Sequence, residues 1–410
     1  MTSDSLQNLL EPGRRGSMLR RKRTDLCLQS LKLESTLFQD VLCEEHLNLD
    51  KKEFNLGSVI GKGGFSRVRS IIQFPSLKQL ENDCHMEVKH SSSSYTMSES
   101  SVDTSSSSSS SSSCNTLSKT NPRLYALKEV RRSLSPAMRL AGQIDLAREA
   151  TFLKALVHPN IVSLHSNGEI PGSKDYFLVL EKFEYDLSDC IERWSKGTLM
   201  NNRRDRNFQR LTAEMSRNQV KKQYKAHRAV ERYQVLADVA SALQFLHESN
   251  IIHRDIKSAN IGITHDGVGK IFDFGLAKEL KEKYRVTGTD DYKISLVGTR
   301  RYLAPEVFAG KPYNLRADVY SFATLMWEVL MLETPYYGMG SKEHEKFVYT
   351  KGRRLGMKRS WPKSIKNVIK MGWDADPKQR PSIGPIRGIL ITQLSLAQLE
   401  SSGYCWKGEL

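Results

Sequence analysis

The chain has 410 residues, of which 39% are hydrophobic and 26% charged, and its formal net charge is +16. These proportions are ordinary for a globular protein and give no argument for overall disorder. No apolar run approaches the roughly 18–20 residues that a membrane-spanning helix needs, so a membrane span is not expected. The length suffices for one large hydrophobic core or for two cores of ordinary size.

Cysteine use and the first residues bear on the cellular compartment. The cysteines are scattered without a close pair, which fits the reduced thiols of the cytosol or nucleus and gives no zinc signature. Residues 1–10 lack the basic-then-apolar layout of a secretory signal. A basic cluster at residues 19–23 (LRRKR) has the composition of a nuclear localisation signal. The sequence therefore predicts a cytoplasmic protein, with the nucleus as the alternative.

The positive charge is concentrated in residues 196–232. This segment holds eleven Lys or Arg residues against three acidic ones, which accounts for half of the net charge. Charge runs are most often solvated, so the first interpretation is a flexible basic insert. The alternative is a docking surface for an acidic partner, anionic lipid or nucleic acid. Because aromatic residues are few there, a stacking platform for single-stranded nucleic acid is not expected. An acidic partner at the basic insert and anionic lipid stay open as docking hypotheses.

The first third of the chain divides into three parts. Residues 1–52 are predicted to be a flexible N-terminal extension. Residues 54–74 alternate apolar side chains around a glycine-rich turn, which predicts a strand, a tight turn and a strand. Residues 75–121 contain nine consecutive serines and only sparse apolar residues, so they are predicted to be disordered. An insert of this size is tolerable at a surface hairpin because the cost of loop closure grows only logarithmically with length.

Regular elements resume at residues 124–130, which predict another strand. Ser135 and Pro136 then open a predicted helix that runs to about Leu156. Residues 177–180 predict a buried strand. Residues 233–248 have apolar side chains at helical spacing, and the chain beyond residue 318 is predicted to be mainly helical.

Six short motifs stand in one order along the chain. They are residues 61–68 (GKGGFSRV), 125–128 (YALK), Glu149, 253–260 (HRDIKSAN), 273–275 (DFG) and 304–306 (APE). In this combination they resemble the eukaryotic protein kinases, and the resemblance covers residues 54–396. It implies an α+β, two-lobed kinase fold, with a small antiparallel-sheet N-lobe that has one main helix and a larger, mostly helical C-lobe. The implied kinase domain spans residues 53–400, with its N-lobe at 53–181, its C-lobe at 184–400 and a tail at 401–410.

The resemblance also assigns a nucleotide site. The glycine-rich turn brings backbone amides to the phosphates, although the third glycine of the family pattern is Ser66 here. Lys128 holds the α- and β-phosphates and pairs with Glu149 on the following helix, and the hinge falls at residues 181–183. The implied ATP-binding residues are Ile60, Gly61, Gly63, Gly64, Ser66, Val68, Ala126, Lys128, Leu180, Glu181 and Phe183.

The implied chemistry is phosphoryl transfer with ATP and Mg²⁺ as cofactors. Asp255 is the candidate acceptor of the substrate hydroxyl proton, and Lys257 neutralises the transferring phosphoryl group. Asn260 and Asp273 are the candidate Mg²⁺ ligands, since oxygen donors completed by phosphate and water suit this ion better than zinc. Two residues after Asn260, where the family usually has a large apolar floor for the adenine, this chain has Gly262. Either Ile261 or Ile263 then shifts in, or the pocket is roomier.

Other residues of the C-lobe have structural roles in the resemblance. Glu306 is expected to pair with Arg380, and Asp318 is expected to brace the catalytic loop. Lys257 and Thr299 match kinases that modify serine and threonine rather than tyrosine. Residues 257–260, 318–322 (DVYSF) and 371–374 (MGWD) are similar to the tyrosine-kinase-like group of serine/threonine kinases.

The resemblance also implies a regulatory loop. Arg254 precedes Asp255, as in kinases whose activation loop is ordered by phosphorylation. The candidate acceptor hydroxyls of that loop are those of Thr287, Thr289, Tyr292 and Ser295. Of these Thr289 and Ser295 are favoured, with Arg254 and Lys278 as the expected phosphate-binding cations. Thr299 is assigned to the substrate groove.

Three functions fit the sequence. The first is an active serine/threonine protein kinase whose partners are protein substrates. The second is a pseudokinase scaffold that binds partners through its basic insert, and the loss of Lys128, Asp255 or Asp273 would favour it, but none is lost. The third, a kinase of lipids or small molecules, is disfavoured because the activation segment through residues 304–306 is complete.

Overall fold

The computed structural model describes residues 50–74, 124–197, 209–210 and 216–402. These residues fall into two compact units. The first unit consists of the described residues up to Thr151 together with residues 163–182, and the second consists of residues 152–162 and those from Phe183 onward. The predicted Ser-rich insert, most of the predicted N-terminal extension and most of the predicted tail lie outside the described residues.

The first unit contains a five-stranded antiparallel sheet. Its strands are β1 (Asn55–Lys62), β2 (Ser66–Gln73), β3 (Tyr125–Val130), β4 (Leu164–Gly168) and β5 (Phe177–Glu181), in the spatial order β1-β2-β3-β5-β4. One face of the sheet covers a core of apolar side chains, since alternate residues of each strand point to the same side. The core residues are Phe54, Ile71, Leu127, Phe177 and Val179.

Two further features complete the first unit. Helix α1 (Pro136–Ala155) begins where predicted, with proline at its first position and the Ser135 hydroxyl accepting from the Met138 amide at 3.4 Å. Its residues up to Thr151 belong to this unit. A short 3-10 helix (Lys51–Glu53) precedes β1, and Lys51 forms an ion pair with Glu129 of β3. Regular structure is thus described just before residue 53, and the domain boundary at residue 53 stays a prediction.

The second unit is mostly helical. Short strands form a three-stranded sheet of β6 (Tyr185–Asp186), β8 (Ile261–Ile263) and β9 (Gly269–Ile271), and a two-stranded pair of β7 (Ile251–Ile252) and β10 (Lys278–Glu279). The helices are α2 (Leu187–Ser195), α3 (Arg217–Glu248), α4 (Pro305–Phe308), α5 (Arg316–Met331), α6 (Ser341–His344), α7 (Lys363–Gly372) and α8 (Ile383–Ser401). Helix α5 is buried from Ala317 to Leu330, and α3 packs along α8. The predicted α+β class, with an antiparallel sheet in the first unit and a larger, mostly helical second unit, is confirmed.

The second half of the predicted basic insert is helical, contrary to the interpretation as a flexible segment. Helix α3 begins at Arg217 rather than near residue 233. Arg228 and Glu231 are both buried and form an ion pair, and the Trp194 indole donates to Glu231 at 3.1 Å. The charge pattern did not predict this part of the helix because Arg228 and Glu231 form a buried ion pair with each other instead of being solvated.

None of the helices in the described part of the chain combines the length and apolar character needed to cross a membrane.

Candidate active site

The glycine-rich turn joins β1 and β2 in the first unit. Gly61 pairs with Val68, and the Gly63 amide donates to the Ser66 carbonyl at 2.9 Å. A Cβ added at Gly64 would meet no described atom within 4 Å, and Gly64 has no positive φ. Neither packing nor backbone strain therefore requires glycine there. The lack of side chains leaves the amides of this exposed turn open to close approach by a ligand.

Four predicted nucleotide-binding side chains share one face of the sheet. Val68 pairs with Lys128 across β2 and β3, and Ala126 pairs with Leu180 across β3 and β5. Leu127 lies between Ala126 and Lys128 and points into the core on the opposite face. Because side chains alternate between faces, Val68, Ala126, Lys128 and Leu180 lie together on the face away from that core.

The remaining predicted nucleotide contacts lie at the ends of elements. Ile60, near the end of β1, is 46% exposed. Glu181 is the last residue of β5, and its amide donates to the Ser163 carbonyl at 3.1 Å. Phe183 follows two residues later and belongs to the second unit.

The predicted pair between β3 and α1 is present. The Lys128 ammonium donates to both Glu149 oxygens, at 2.8 and 2.6 Å, and both residues are buried. A buried charge is costly unless it is paired and hydrogen-bonded, so each side chain holds the other in place. The cation therefore has a fixed position on the face that carries the other predicted nucleotide contacts.

In the second unit, the predicted brace holds the start of the catalytic loop. The two Asp318 carboxylate oxygens accept from the amides of His253 at 2.8 Å and Arg254 at 2.9 Å, and one of them lies 3.1 Å from Nε2 of His247. Complete burial by itself would raise the pKa of Asp318, but the hydrogen bond and charge of His247, with help from His253, hold it below its usual value. An ionised carboxylate thus fixes Arg254 in its left-handed backbone conformation, with φ of 69°.

The catalytic loop forms a closed network of short hydrogen bonds. The Lys257 ammonium donates to Oδ2 of Asp255 at 2.7 Å and to the Thr299 hydroxyl at 3.0 Å. That hydroxyl donates to Oδ1 of Asp255 at 2.7 Å. The side-chain nitrogen of Asn260 donates to the backbone carbonyl of Asp255 at 2.9 Å and to its Oδ2 at 3.0 Å. The structure therefore brings together the predicted base, the predicted phosphoryl-binding cation, one predicted metal ligand and the predicted groove threonine.

The predicted Mg²⁺ ligands fit a hard cation. Because the Asn260 nitrogen faces Asp255, its amide oxygen is directed elsewhere and keeps its acceptor capacity. The Asn260 carbonyl accepts from the Phe272 amide at 3.0 Å, which ties Asn260 to the residue next to Asp273. The described residues contain no group of three or more His, Cys, Asp or Glu suited to a metal. One carboxylate and one amide fit Mg²⁺ that takes its other ligands from phosphate and water.

The space beside Gly262 is filled in a way that neither expectation anticipated. Ile261 and Ile263 are buried and alternate with Gly262 along β8, so neither takes its place. A Cβ added at Gly262 would lie 2.5 Å from Cε2 of Phe183 and closer still to Cγ and Cδ2. The ring of Phe183 therefore occupies the position that a side chain at residue 262 would take.

The two favoured hydroxyl residues of the predicted activation loop have different hydrogen-bond partners. Arg254 donates from Nη1 to the Ser295 hydroxyl at 3.1 Å and from Nε to the Leu276 carbonyl at 2.6 Å. The Thr289 hydroxyl instead donates to the Val286 carbonyl at 3.0 Å. Lys278 lies over the Tyr284 ring, 4.6 Å from its centroid. Among the two favoured residues, Ser295 is thus the one in contact with Arg254.

Two buried carboxylates support the end of the activation segment. Glu306 accepts from both terminal nitrogens of Arg380, at 2.7 and 2.8 Å, as expected from the sequence. Glu328 accepts from the Tyr302 hydroxyl at 2.7 Å and from the Ser258 hydroxyl at 3.0 Å. The Glu328 cluster was not predicted because, unlike the Glu306–Arg380 pair, it belongs to none of the motifs on which the resemblance depends.

Phe272 was also missed. Its ring stacks on that of Phe183, with centroids 5.4 Å apart and planes inclined by 30°. The available signal was the presence of a large aromatic residue immediately before Asp273.

Comparison with known proteins agrees with this geometry. The family model for protein tyrosine and serine/threonine kinases matches residues 113–390. Mitogen-activated protein kinase kinase kinase 13-B of Xenopus laevis is 36% identical over 148 residues, which cover 36% of this chain and 15% of that protein. Serine/threonine-protein kinase STY17 of Arabidopsis thaliana is 36% identical over 152 residues, or 37% of this chain and 25% of that protein. The matched regions thus span a quarter or less of these relatives.

A longer match agrees with the first two. A probable serine/threonine-protein kinase of Dictyostelium discoideum is 27% identical over 253 residues, which cover 62% of this chain and 16% of that protein. The predicted resemblance to serine/threonine kinases of the tyrosine-kinase-like group is confirmed by these relatives and by the family model. Because the family model matches more than half of the chain, the protein belongs to the protein tyrosine and serine/threonine kinase family.

Proposed function

We propose that this chain is an ATP- and Mg²⁺-dependent protein kinase that transfers the γ-phosphoryl group of ATP to serine and threonine hydroxyls of proteins. The observation that carries the proposal is the Asp255 network. Asp255 accepts a hydrogen bond from a threonine hydroxyl at 2.7 Å, and the same hydroxyl lies 3.0 Å from the Lys257 ammonium. An incoming hydroxyl of the same chemistry would find its proton acceptor and its neighbouring cation already in position.

Each residue of the network has a separate task in this proposal. Asp255 accepts the proton of the attacking hydroxyl, for which its carboxylate must stay ionised and oriented. Lys257 and Asn260 both donate to Oδ2 of Asp255, which fixes the orientation of the carboxylate. Lys257 also places positive charge where negative charge builds up on the transferred group. These are contributions of position and charge, which fits phosphoryl transfer because it needs little covalent participation from the protein.

Each compact unit offers its own candidate residues for the cofactors. Lys128, fixed by Glu149, would bind phosphate oxygens of ATP, and the turn at residues 61–66 would offer backbone amides. Asn260 and Asp273 would hold Mg²⁺. When bound, the ion neutralises the negative charge of the phosphates.

The alternative functions have less support. A pseudokinase scaffold would be favoured by the loss of a catalytic residue, but Lys128 and Asp255 are present in hydrogen-bonded networks, and Asp273 is present in the sequence. The acidic partner at the basic insert is not supported either. Part of that insert belongs to helix α3, where Arg228 is buried in an ion pair with Glu231 and is therefore not available to a partner. The cytoplasmic or nuclear location stays a prediction.

Regulation by phosphorylation of the activation loop is part of the proposal, and Ser295 is the favoured acceptor. Its hydroxyl lies 3.1 Å from Nη1 of Arg254, whose own backbone is held by Asp318. A phosphate on Ser295 would add about −1.5 to −2 charges beside this guanidinium and convert a hydrogen bond to a neutral hydroxyl into an ion pair. The loop would then be tied to the residue that directly precedes the catalytic aspartate.

The function is tested with purified protein, Mg²⁺, labelled ATP and generic protein substrates. We expect label on serine and threonine but not on tyrosine. Asp255→Asn should lower turnover by a factor on the order of 10³ while the protein stays folded, since the variant keeps the shape of the side chain but cannot accept the proton as a carboxylate. Asp266→Asn, an exposed substitution in the turn between β8 and β9, is the matched control and should keep full activity. Undiminished label transfer by Asp255→Asn would refute the assignment.

Regulation is tested by phosphatase treatment of active enzyme. Complete dephosphorylation, verified by mass spectrometry, should lower activity several-fold. Ser295→Ala should mimic the treated enzyme, whereas Thr289→Ala should still respond to the phosphatase. Arg254→Ala should remove the difference between treated and untreated protein. Equal activity before and after treatment would show that the loop is ordered without phosphate.

A further inference from the structure

A second basic segment of the chain lies in the second unit, separate from residues 196–232. Residues 346–373 hold nine Lys or Arg residues and no Asp or Glu, which accounts for more than half of the net charge of +16. The structure describes all of these residues, and seven of the nine cations are exposed. None of the nine forms an ion pair with another described residue. The seven exposed cations are Lys346, Lys351, Arg353, Lys358, Arg359, Lys363 and Lys370.

The backbone of this segment is fixed by side-chain hydrogen bonds. Arg354 donates to the Val348 carbonyl at 3.1 Å and to the Trp373 carbonyl at 3.0 Å. The Trp327 indole of α5 donates to the Gly356 carbonyl at 2.6 Å. Charge runs are most often solvated and flexible, but here the exposed cations stand on a backbone that is held in one conformation. A preformed surface loses little entropy when a partner binds to it.

Three of the exposed cations cluster around one aromatic ring. Lys346 and Lys351 both lie over the ring of Phe347, at 5.7 and 5.6 Å from its centroid. The Arg353 amide donates to the Phe347 carbonyl at 2.8 Å. The ring belongs to a π-helical turn (Glu345–Thr350). Like charges so close together repel each other, and a bound polyanion would remove this repulsion.

The same turn is tied to the predicted substrate groove. The Tyr349 hydroxyl donates to the Arg300 carbonyl at 2.7 Å. Arg300 directly follows Thr299, whose hydroxyl donates to Asp255 at 2.7 Å. Arg300 and Arg301 are both exposed, and neither has an ion-pair partner in the part of the chain that the structure describes. Unpaired positive charge therefore continues from the catalytic loop to the π-helical turn.

A cavity beside the groove leaves room for a polypeptide along this path. It has a volume of about 380 Å³ and is lined by Thr299, Arg300, Arg301, residues 339–341 and His344. His344 is the last residue of α6, and the π-helical turn begins at the next residue. A chain that leaves the groove through this cavity would thus come to Lys346.

The side chains of the segment favour an acidic polypeptide over other polyanions. A surface that lies on a membrane combines cations with exposed apolar side chains, but Met371 is the one large hydrophobic residue exposed within residues 346–373. A platform for single-stranded nucleic acid needs exposed aromatic rings, and none of the aromatic residues in this fully described segment is exposed. An acidic polypeptide needs only the cations, and the groove is where a protein substrate would lie.

We propose that Arg300, Arg301, Lys346, Lys351 and Arg353 form a basic docking surface for an acidic segment of the protein substrate, outside the acceptor site. The identification of the partner as a substrate rests on the proposed function. Complementary charge mainly accelerates association and loses its effect as salt is added. The surface should therefore lower the KM for acidic substrates and leave kcat unchanged.

The first test measures binding of a fluorescent octaglutamate peptide to the full-length chain by fluorescence anisotropy. Wild type should bind the peptide, with an affinity that falls as salt is added. The variant Lys346→Glu/Lys351→Glu/Arg353→Glu should bind at least about tenfold more weakly, because three exposed charge pairs are replaced by repulsion. Thermal melting identifies any loss of folding. If the variant does not fold, replacement of the same residues by Gln should still weaken binding about threefold.

A matched control places the same change of net charge elsewhere. Lys174, Lys311 and Lys378 are also exposed and lie outside the basic docking surface. The variant Lys174→Glu/Lys311→Glu/Lys378→Glu should lose at most about twofold in octaglutamate affinity, since charges distant from the bound peptide are screened. Equal losses in the two triple variants would overturn the proposal, because net charge alone would then explain the binding.

The second test compares two peptide substrates with the same acceptor residue, one with a block of Glu and one with a block of Gln. Wild type should show a KM at least about fivefold lower for the Glu peptide, with similar kcat values. Lys346→Glu/Lys351→Glu/Arg353→Glu should remove this preference without changing kcat for the Gln peptide. A merely structural role of these residues would instead affect both peptides alike.

Two further outcomes would overturn the proposal. One is failure of wild type to bind octaglutamate, or equal affinity of wild type and the charge-reversed variant. The other is that the variant keeps octaglutamate affinity but loses binding to phosphatidylserine vesicles or to duplex DNA, which would assign the surface to another polyanion.

Failure of the docking surface is distinguishable from failure of the proposed function. Octaglutamate binding that depends on Lys346, Lys351 and Arg353, without any phosphoryl transfer, would refute the kinase activity and keep the surface as a binding site. Phosphoryl transfer by wild type that is equally efficient for the Glu and Gln peptides would refute the docking surface and keep the kinase activity.

Discussion

The second unit contains two sets of charged residues that are built differently. The catalytic set consists of Asp255 and Lys257, whose side chains are 10% and 23% exposed. Lys257 donates one hydrogen bond to Asp255 and one to Thr299. The bracing set, Glu306 and Arg380, has 8% and 0% exposed and is joined by two parallel hydrogen bonds. The two cations differ most, because Lys257 is partly exposed and accessible to a substrate, whereas Arg380 is fully buried against Glu306.

This difference predicts which property each set controls. Breaking a buried ion pair leaves an uncompensated charge that costs several kcal/mol of stability. Asp255→Asn keeps the size of the side chain and one acceptor oxygen, so it should cost less stability than the loss of a buried charge partner. The catalytic set should therefore govern turnover, and the bracing set should govern the free energy of unfolding.

The largest stability effect is expected for Arg380→Met, which leaves Glu306 buried without its cation. The free energy of unfolding should fall by about 3–5 kcal/mol, measured by urea denaturation. Lys378→Met, an exposed substitution two residues earlier, is the control and should change stability by less than about 0.5 kcal/mol. A loss of less than about 1 kcal/mol for Arg380→Met would show that the Glu306–Arg380 pair does not stabilise the fold.

Asp318→Asn should affect both properties, because Asp318 is buried like the bracing set but bonds to the catalytic loop. The amide keeps one acceptor oxygen, but its NH₂ group faces a backbone donor and the charge is lost. We expect a loss of about 1.5–3 kcal/mol in stability, as for hydrogen bonds to charged groups, together with reduced turnover. Asp318→Ala should be worse in both respects. Turnover equal to wild type in Asp318→Asn would contradict the role of this residue in holding His253 and Arg254.

The buried carboxyl group of Glu328 should make the free energy of unfolding depend on pH. Burial raises the pKa of Glu328 to about 7 from its usual value of 4.5, despite the hydrogen bonds from Tyr302 and Ser258. The folded state then binds more protons than the unfolded state between these values, so stability should fall as pH rises from 4.5 through 7. The loss should be about 3 kcal/mol, and Glu328→Gln should remove it from the pH profile of unfolding. Glu345→Gln, at an exposed site, should leave the profile unchanged. Equal pH profiles for wild type and Glu328→Gln would mean that folding does not raise the pKa of Glu328.

The smallest effect is expected in the first unit, far from both charge sets in sequence. The two strand ends that flank the Ser-rich segment lie close together, since β2 and β3 are paired and the rings of Phe74 and Tyr125 are 5.5 Å apart. A short Gly/Ser turn in place of residues 75–121 can therefore join the strands. Melting temperature and peptide phosphorylation should stay near wild type. A large drop in either would show that the segment contributes contacts to the domain.

Much of the candidate site could be predicted because its parts are fixed over short stretches of sequence. The positions of Asp255, Lys257 and Asn260 follow from one eight-residue motif, and the Lys128–Glu149 pair from a strand and the helix after it. Contacts between distant residues could be predicted only where the family resemblance pairs them, as for Glu306 with Arg380 and Asp318 with the catalytic loop. The other long-range contacts could not. The Phe183 ring beside Gly262 is one, since the consequence of a missing Cβ depends on a residue 79 positions earlier in the numbering.

Helix α3 shows the same limit for the fold. Its first residues were interpreted as a solvated insert because basic residues dominate the local composition. Arg228 is buried because Glu231 pairs with it and Trp194 of α2 bonds to Glu231. Charge counted along the sequence cannot reveal such a pairing, because the tertiary contact decides which charges meet solvent.

The central claim is that turnover and stability depend on separate sets of charges, and one paired measurement tests it directly. Turnover and the free energy of unfolding are determined on the same preparations of wild type, Asp255→Asn and Arg380→Met. We expect Asp255→Asn to lose turnover by a factor on the order of 10³ with little change in stability, and Arg380→Met to lose about 3–5 kcal/mol of stability. Comparable losses of stability in both variants, or undiminished turnover in Asp255→Asn, would contradict the account.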